Sequence, residues 1–285
     1  MTIEDKNAMA LLYLSNQQWE KAQVLFFENA KSNPSHQTYN NLGYYLVSEG
    51  LICKNGKVRN ALKLGKKYLF KANELARSRV NTGAIICAID YQLRCANDKE
   101  SKMLLAEAFS IMEKTLEEDY SSTIEYNYLC YKHRAGSNSL KLLPRARALA
   151  TLDASSENVS LYFELLRHCG LKDEGIECIK KNGDCIEPTE LLMFYAKFGI
   201  YDKGYELCKS ICKDYDITSD LAAAIVECCM ATGNLGEILD FAYLKSNINT
   251  PIQRKLMIEK YISLRPIKVD CCYFGCATHN TKWSI

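Results

Sequence analysis

The sequence predicts an all-α fold, a solenoid in which pairs of helices stack along the chain. Two observations predict it: small and large residues recur at helical spacing, and no run alternates apolar and polar residues as a strand would. The composition agrees, since the 285 residues include only 5 prolines and 14 glycines. We therefore expect helices throughout residues 4 to 265.

The first predicted helix pair ends at Pro34. Its small residues, Ala10 and Ala22, stand where two helices cross closely, and its large residues, Tyr13 and Phe26, stand where neighbouring pairs meet. This arrangement resembles a repeat of the tetratricopeptide family. The resemblance implies a right-handed α-α solenoid of tetratricopeptide-like helix-turn-helix repeats, with roughly seven or eight helix pairs for a chain of this length.

Later helix pairs repeat this pattern. The crossing position of Ala22 recurs at Gly175, Gly204 and Ile238. Five residues before the four crossing positions stand Gln17, Gly170, Gly199 and Gly233. A glycine at that place predicts a first helix that ends in the left-handed conformation. The last two steps, of 29 and 34 residues, indicate degenerate repeats.

A second repeated pattern occurs in two segments that are predicted to be the first helices of their pairs. Residues 39–44 and 126–131 both read Tyr-Asn-x-Leu-x-Tyr. In tetratricopeptide arrays the first helices line a concave groove. The resemblance therefore implies inward-facing peptide-binding residues, namely Gln37, Asn40, Asn41, Tyr44, Asn127, Tyr128 and Tyr131. Asparagine carries both donors and an acceptor for a peptide backbone, and tyrosine supplies rigid contact area. The implied function is a protein- or peptide-binding adaptor or scaffold.

No catalytic motif stands out. The sequence has no P-loop, no Gly-x-Ser-x-Gly, no His-Glu-x-x-His and no dinucleotide fingerprint. His168 and Cys169 are adjacent and so point in different directions on a helix, while His36 and His133 have no readable partner. We expect neither enzymatic activity nor a cofactor.

Residues 54–79 are strongly basic, with nine Lys and Arg residues opposed only by Glu74. This face is interpreted either as solvated surface or as a docking site for an acidic partner. A nucleic-acid partner is disfavoured because the net charge is only +2 and residues 98–125 carry eight acidic residues against three lysines.

The expected compartment is the cytoplasm. The N-terminus lacks a basic start and a cleavage site, and no apolar run reaches the length of a membrane span. Many of the 14 cysteines lie on predicted apolar helix faces, which favours buried free thiols over disulfides. Those cysteines are Cys87, Cys130, Cys178, Cys208, Cys228 and Cys229.

We divide the chain into a helical solenoid, residues 1–265, and a non-repetitive Cys-rich tail, residues 266–285. The tail contains four residues of metal-ligating types within nine positions, Cys271, Cys272, Cys276 and His279. Thiolate and imidazole are ligands of tetrahedral Zn²⁺, so the tail is a candidate metal or redox site.

Two other interpretations of the tail stay open. Its cysteines, together with Thr278, Thr281 and Ser284, resemble the core of a post-translationally modified peptide, which would make the chain its carrier or precursor. Alternatively the tail caps the last helix pair by packing its aromatic residues over it. Those residues are Tyr273, Phe274 and Trp283.

Overall fold

The computed structural model describes residues 2–48, 58–93, 96–215, 217–234, 236–237, 267–268 and 271–276. All regular secondary structure within these ranges is helical, which confirms the all-α prediction. None of the described helices is long and apolar enough to cross a membrane.

The chain divides into two compact units, Met1–Tyr128 with Ile267–Ile285, and Leu129–Pro266. The described helices of the first unit are α1 (Ile3–Ser15), α2 (Trp19–Ser32), α3 (His36–Ser48), α4 (Val58–Leu75), α5 (Arg79–Leu93), α6 (Asp98–Glu118) and the first half of α7 (Ser122–Arg134). The expected division was a solenoid, residues 1–265, followed by a separate tail. In the structure the C-terminal segment belongs to the same compact unit as the first half of the chain.

The second unit holds the remaining described helices. They are the second half of α7, α8 (Ser139–Leu152), α9 (Ser156–Cys169), α10 (Lys172–Asn182), a 3-10 turn (Gly183–Cys185), α11 (Pro188–Lys197), α12 (Tyr201–Asp214) and α13 (Ser219–Ala231). The predicted crossing residue Ile238 lies outside the described residues.

Within each unit, helices pack on their neighbours in the chain. In the first unit α1 to α6 pack in sequence, and α3 also packs on α5. In the second unit α9 packs on α8, α10 and α11, and α11 on α12 and α13. Contacts between odd-numbered helices are those expected when successive helix pairs stack.

Local geometry confirms the predicted crossings and helix ends. A Cβ on Gly175 would lie 2.2 Å from Phe194 Cε2, and one on Gly204 would lie 2.5 Å from Cys228 Sγ, so only glycine fits these crossings. Gln17 has a φ of 58°, and the three glycines predicted at the same position have φ of 71° to 78°. Each therefore lies in the left-handed region. Those glycines are Gly170, Gly199 and Gly233.

Serine residues immediately precede four odd-numbered helices, α3, α5, α7 and α9. Ser35, Ser78 and Ser121 stand just before α3, α5 and α7, each 43 residues from the next. Each Oγ accepts a hydrogen bond from the backbone N–H three residues later, at 3.2, 3.2 and 3.5 Å. Ser155 is the N-cap residue of α9 by position, without a side-chain capping hydrogen bond. These four N-cap positions give a common register for comparing helix faces.

The cysteines predicted to be buried are buried. All six are at most 6% exposed, and all are free thiols. In the second unit Cys208, Cys228 and Cys229 pack with Leu192 and Ile211 in one apolar cluster. They act there as small apolar side chains.

Candidate peptide-binding surface

One face of α3 is covered by the C-terminal segment. Counted from the capping Ser35, the residues at positions five, six, nine and thirteen share this face, as helical spacing requires. All four contact the segment of residues 271–276. They are Asn40, Asn41, Tyr44 and Ser48.

Asn41 holds both backbone groups of Phe274. The Phe274 N–H donates to Asn41 Oδ1 at 2.8 Å, and Asn41 Nδ2 donates to the Phe274 carbonyl at 3.4 Å. Asn40 Nδ2 also donates to the Cys272 carbonyl at 2.6 Å. Both asparagines are fully buried. A buried amide in this position satisfies peptide groups that would otherwise lose water without compensation.

Asn127 on α7 makes the same two contacts with Lys268. The Lys268 N–H donates to Asn127 Oδ1 at 2.9 Å, and Asn127 Nδ2 donates to the Lys268 carbonyl at 3.0 Å. Lys268 Nζ lies 4.8 Å from the centre of the Tyr126 ring, within cation–π range. Asn41 and Asn127 both stand six residues after their capping serines. Two equivalent side chains therefore bind two positions of one segment.

Helix α5 lies between these two anchors in sequence and contributes a small residue. Gly83 stands five residues after Ser78, the position of Asn40 on α3. A Cβ on Gly83 would lie 3.6 Å from Cys272 Sγ, so the glycine faces the segment. The surface thus draws on α3, α5 and α7.

Tyr273 fills an aromatic site on the first three helices. Its ring stacks on Phe26 at 5.8 Å with an interplanar angle of 2°, and contacts the edge of Tyr44 at 4.8 Å. Its hydroxyl lies 3.3 Å from Ser48 Oγ. Tyr273 joins the buried cluster that contains Ala10 and Ala22. Such a ring contributes both buried apolar area and directed ring contacts.

This packing corrects the predicted cap. Tyr273 and Phe274 were expected to cover the last helix pair; within the described part of the chain they pack on α2 and α3. The physical reason is that Phe26 and Tyr44 offer ring contacts to Tyr273 there, and asparagines beside them bind the segment's backbone. Trp283 lies outside the described residues.

Burial sets the ionisation of two residues at the site. It raises the pKa of the Tyr44 hydroxyl, so that this group stays protonated. Burial also lowers the pKa of His36, whose ring meets Phe274 edge-on at 5.2 Å. The surface beside Tyr273 and Phe274 is therefore uncharged near neutral pH.

The other predicted groove residues lie elsewhere. The Tyr128 hydroxyl donates to Glu113 at 2.6 Å and its ring packs on Phe109 of α6. Tyr131 is fully buried. Gln37 is half-buried in the first turn of α3.

A one-residue error in register explains the misplaced tyrosines. The Tyr-Asn-x-Leu-x-Tyr pattern aligns Asn127 with Asn40, whereas the capping serines align it with Asn41. One residue turns a helix by roughly 100°, which moves a side chain off the face. In the observed register Tyr131 corresponds to the buried Tyr45, ten residues after its serine. The recurring capping serines were the sequence signal that could have given this register.

The tail cysteines serve as packing residues in the part of the chain that is described. Cys272 and Cys276 are buried, and Cys271 Sγ lies 3.8 Å from the Tyr273 carbonyl. Among the described residues, the three thiols do not form a group of converging metal ligands. His279, the fourth predicted ligand, lies outside the described residues.

The basic helix α4 is partly neutralised by its neighbours. Lys66 forms an ion pair with Glu107 of α6, and Arg77 pairs with Glu118. Lys71 Nζ donates to the Tyr39 hydroxyl at 2.9 Å. Lys63 and Lys67 remain exposed. Lys54 and Lys57 lie outside the described residues, and an acidic partner at this face stays a prediction.

Comparison with known proteins adds no assignment. The chain matches no protein-family model, and no curated protein is significantly similar to it.

Proposed function

We propose that this chain is a peptide-binding protein, an adaptor or scaffold whose site is the surface on α3, α5 and α7. One observation carries the proposal: Asn41 and Asn127 each exchange two hydrogen bonds with the backbone of a single residue. Main-chain binding of this kind accepts many sequences, while neighbouring pockets select side chains. The same surface would receive a partner peptide in place of the chain's own segment.

The contacts around the segment suggest which peptides would bind. Phe26, Tyr44 and Ser48 fit an aromatic residue with a hydroxyl at the Tyr273 position. His36 contacts an aromatic residue at the next position, that of Phe274. The Tyr126 ring favours a cation at the position of Lys268, six residues before Phe274. We expect partners that present a basic residue upstream of an aromatic pair.

The chain's own segment would compete with any partner. Because it is covalently attached, its effective concentration at the surface is on the order of millimolar. A partner must therefore bind tightly or be present in excess. Buried free thiols support a reducing compartment, and we place this activity in the cytoplasm.

A labelled synthetic peptide of residues 267–276 tests the proposal. We expect it to bind the full chain carrying Tyr273→Ala, in which the attached segment is weakened, more tightly than the wild-type chain. Adding Asn41→Leu, which removes both backbone bonds, should lower that affinity at least tenfold, measured by fluorescence anisotropy under reducing conditions. The matched control is Asn16→Ala, at an exposed asparagine after α1. Equal binding with and without Asn41→Leu would refute the proposal.

A second candidate function rests on what occupies the surface. The segment bound there is the Cys-rich one, which is consistent with a carrier or precursor of a modified C-terminal peptide. The intact mass of protein from its native source decides this. A mass change within residues 266–285 that is absent from protein made alone supports the carrier, and an unmodified mass excludes it.

A further inference from the structure

The second unit contains a cavity lined by ionisable side chains. Its volume is about 500 Å³, and α7, α9 and α11 supply most of its lining. Counted from the N-cap residue Ser155, Glu164 and His168 on α9 stand nine and thirteen residues along. They occupy the helix face that carries Tyr44 and Ser48 on α3.

Three potential metal ligands converge at this cavity. Glu164 Oε1 lies 3.5 Å from His133 Nε2 and 3.9 Å from His168 Nε2. All three ligand atoms lie within 4.8 Å of one another, and this is the group with that property among the described residues. The imidazole rings of His133 and His168 are 4.7 Å apart and nearly perpendicular.

We propose that His133, Glu164 and His168 form a binding site for a divalent transition-metal ion of the zinc class. Zn–N and Zn–O bonds of about 2.0–2.2 Å place the ligand atoms of a tetrahedral site roughly 3.4 Å apart. Glu164 lies near this distance from both histidines, at 3.5 and 3.9 Å, and the two histidine nitrogens lie within 4.8 Å of each other. Side-chain rotations that bring the two imidazoles closer would therefore close the site.

A hydrogen bond behind His133 supports the assignment. Ser139 Oγ lies 3.4 Å from His133 Nδ1, on the opposite side of the ring from Glu164. Histidines that bind metals usually have their second nitrogen held by such a partner, which fixes the ring orientation. Glu164 and His168 are four residues apart on α9, which places both on one side of that helix.

The cavity leaves room for an open coordination position. Arg167, which also lines the cavity, pairs with Glu190 at 3.1 Å. Three protein ligands leave a fourth position for water or a small anion, and the cavity provides the space. The site therefore has the ligand number of a reactive zinc centre, unlike the closed four-ligand centres that only stabilise a fold.

Cobalt(II) titration of the full chain, after treatment with a chelator, tests the site. We expect one Co²⁺ per chain with the visible absorption of a four- or five-coordinate nitrogen and oxygen site, displaced by Zn²⁺. His168→Ala and Glu164→Gln should each weaken binding at least tenfold. His168 is substantially exposed, so its replacement should leave the fold intact, which circular dichroism checks. Glu177→Gln, at an exposed glutamate of α10 in the same unit, is the matched control for Glu164→Gln and should leave binding unchanged.

Three results would overturn the assignment. The first is no stoichiometric Co²⁺ or Zn²⁺ at micromolar concentrations. The second is equal binding by the wild-type chain and the His168→Ala and Glu164→Gln variants. The third is a strong thiolate-to-cobalt charge-transfer band that disappears when Cys271, Cys272 and Cys276 are changed to Ser, because it would place the ion on the tail.

Discussion

Two helix faces in equivalent register have different tasks. On α3, Tyr44 and Ser48 contact Tyr273 of the C-terminal segment. On α9, Glu164 and His168 occupy the same positions relative to the N-cap serine and line a cavity. The side chains at two equivalent positions therefore differ in what they contact: one pair packs on the chain's own segment, and the other pair is ionisable and lines a cavity. This comparison teaches that helix register determines which positions share a face, and that the side chains at those positions determine what the face can contact.

Tyr273→Ala should have the largest effect, because it removes the main contact between the segment and the α3 face while leaving the α9 face unchanged. Removing a buried ring that contacts Phe26, Tyr44 and Ser48 should cost about 3–5 kcal/mol, as aromatic-to-alanine changes in cores do. Because Tyr273 belongs to the segment, we expect the segment to detach while the helices stay folded. Hydrogen exchange of the Phe274 amide should accelerate at least a hundredfold, with Co²⁺ binding in the second unit unchanged.

Tyr120→Ala is the matched control, since that ring is 49% exposed. It should leave exchange at Phe274 as in the wild-type chain. Full protection of the Phe274 amide in the Tyr273→Ala variant would show that the ring does not hold the segment.

Gly43→Ala should disturb the packing of α3, which carries the first face, against α4. A Cβ at Gly43 would lie 2.9 Å from the Gly65 carbonyl oxygen and 2.8 Å from Leu69 Cγ, and a backbone carbonyl cannot move aside. We expect a destabilisation of about 1–3 kcal/mol, the usual range for overpacking, seen as a lower melting temperature. Gly236→Ala, with open space around the new Cβ, is the control. A melting temperature equal to that of the control would mean that α3 and α4 can separate without cost.

Asn41→Leu and Asn127→Leu test separately the two asparagines that bind the segment's backbone, at Phe274 and at Lys268. Each change removes two hydrogen bonds to the backbone of the segment, at a cost of about 1–3 kcal/mol. Asn127→Leu should expose the Lys268 amide to exchange more than the Phe274 amide, and Asn41→Leu should do the reverse. Site-resolved exchange measures both. Identical exchange patterns in the two variants would contradict independent anchors.

The smallest expected effect of Tyr273→Ala is on the thiols of the second unit, whose alkylation rates should not change. Burial raises the pKa of the Cys228 thiol to about 11, so little thiolate forms at pH 8. Burial also raises the pKa of Cys208. Both should react slowly with iodoacetamide in wild-type and Tyr273→Ala chains alike, followed by mass spectrometry.

The segment thiols should respond differently. Cys272 and Cys276 are buried only through docking of the segment, so Tyr273→Ala should speed their alkylation several-fold. Acceleration at Cys208 as well would mean that the variant loosens the second unit, and the two regions would then not be independent.

Much of the fold could be predicted because it depends on local spacing. The crossing glycines Gly175 and Gly204 were recognised from recurring small residues, and the left-handed ends at Gly170 and Gly199 from their place after an apolar stripe. These features involve residues within one or two helices. Their backbone geometry follows from the residue itself, since glycine alone adopts left-handed conformations without strain.

The candidate site could be predicted only in part. Among the residues predicted to bind a peptide, four contact the C-terminal segment, namely Asn40, Asn41, Tyr44 and Asn127. Tyr128 contacts Glu113 instead, and Tyr131 is fully buried. A helix face can be assigned from sequence only if its first residue is known, because each residue of error rotates it by roughly 100°. The proximity of His133 to Glu164 and His168 could not be predicted, because these partners lie on another helix.

The sequence by itself determined the helices, their close crossings, their left-handed ends and the buried cysteines. The tertiary structure alone decided that Phe274 lies on Asn41, 233 residues away in the chain, and that His133 meets Glu164. The physical reason is the range of the interactions. Helical periodicity and backbone preference act over a few residues and leave a signature in spacing, whereas a hydrogen bond between distant segments depends on how packed helices bring them together.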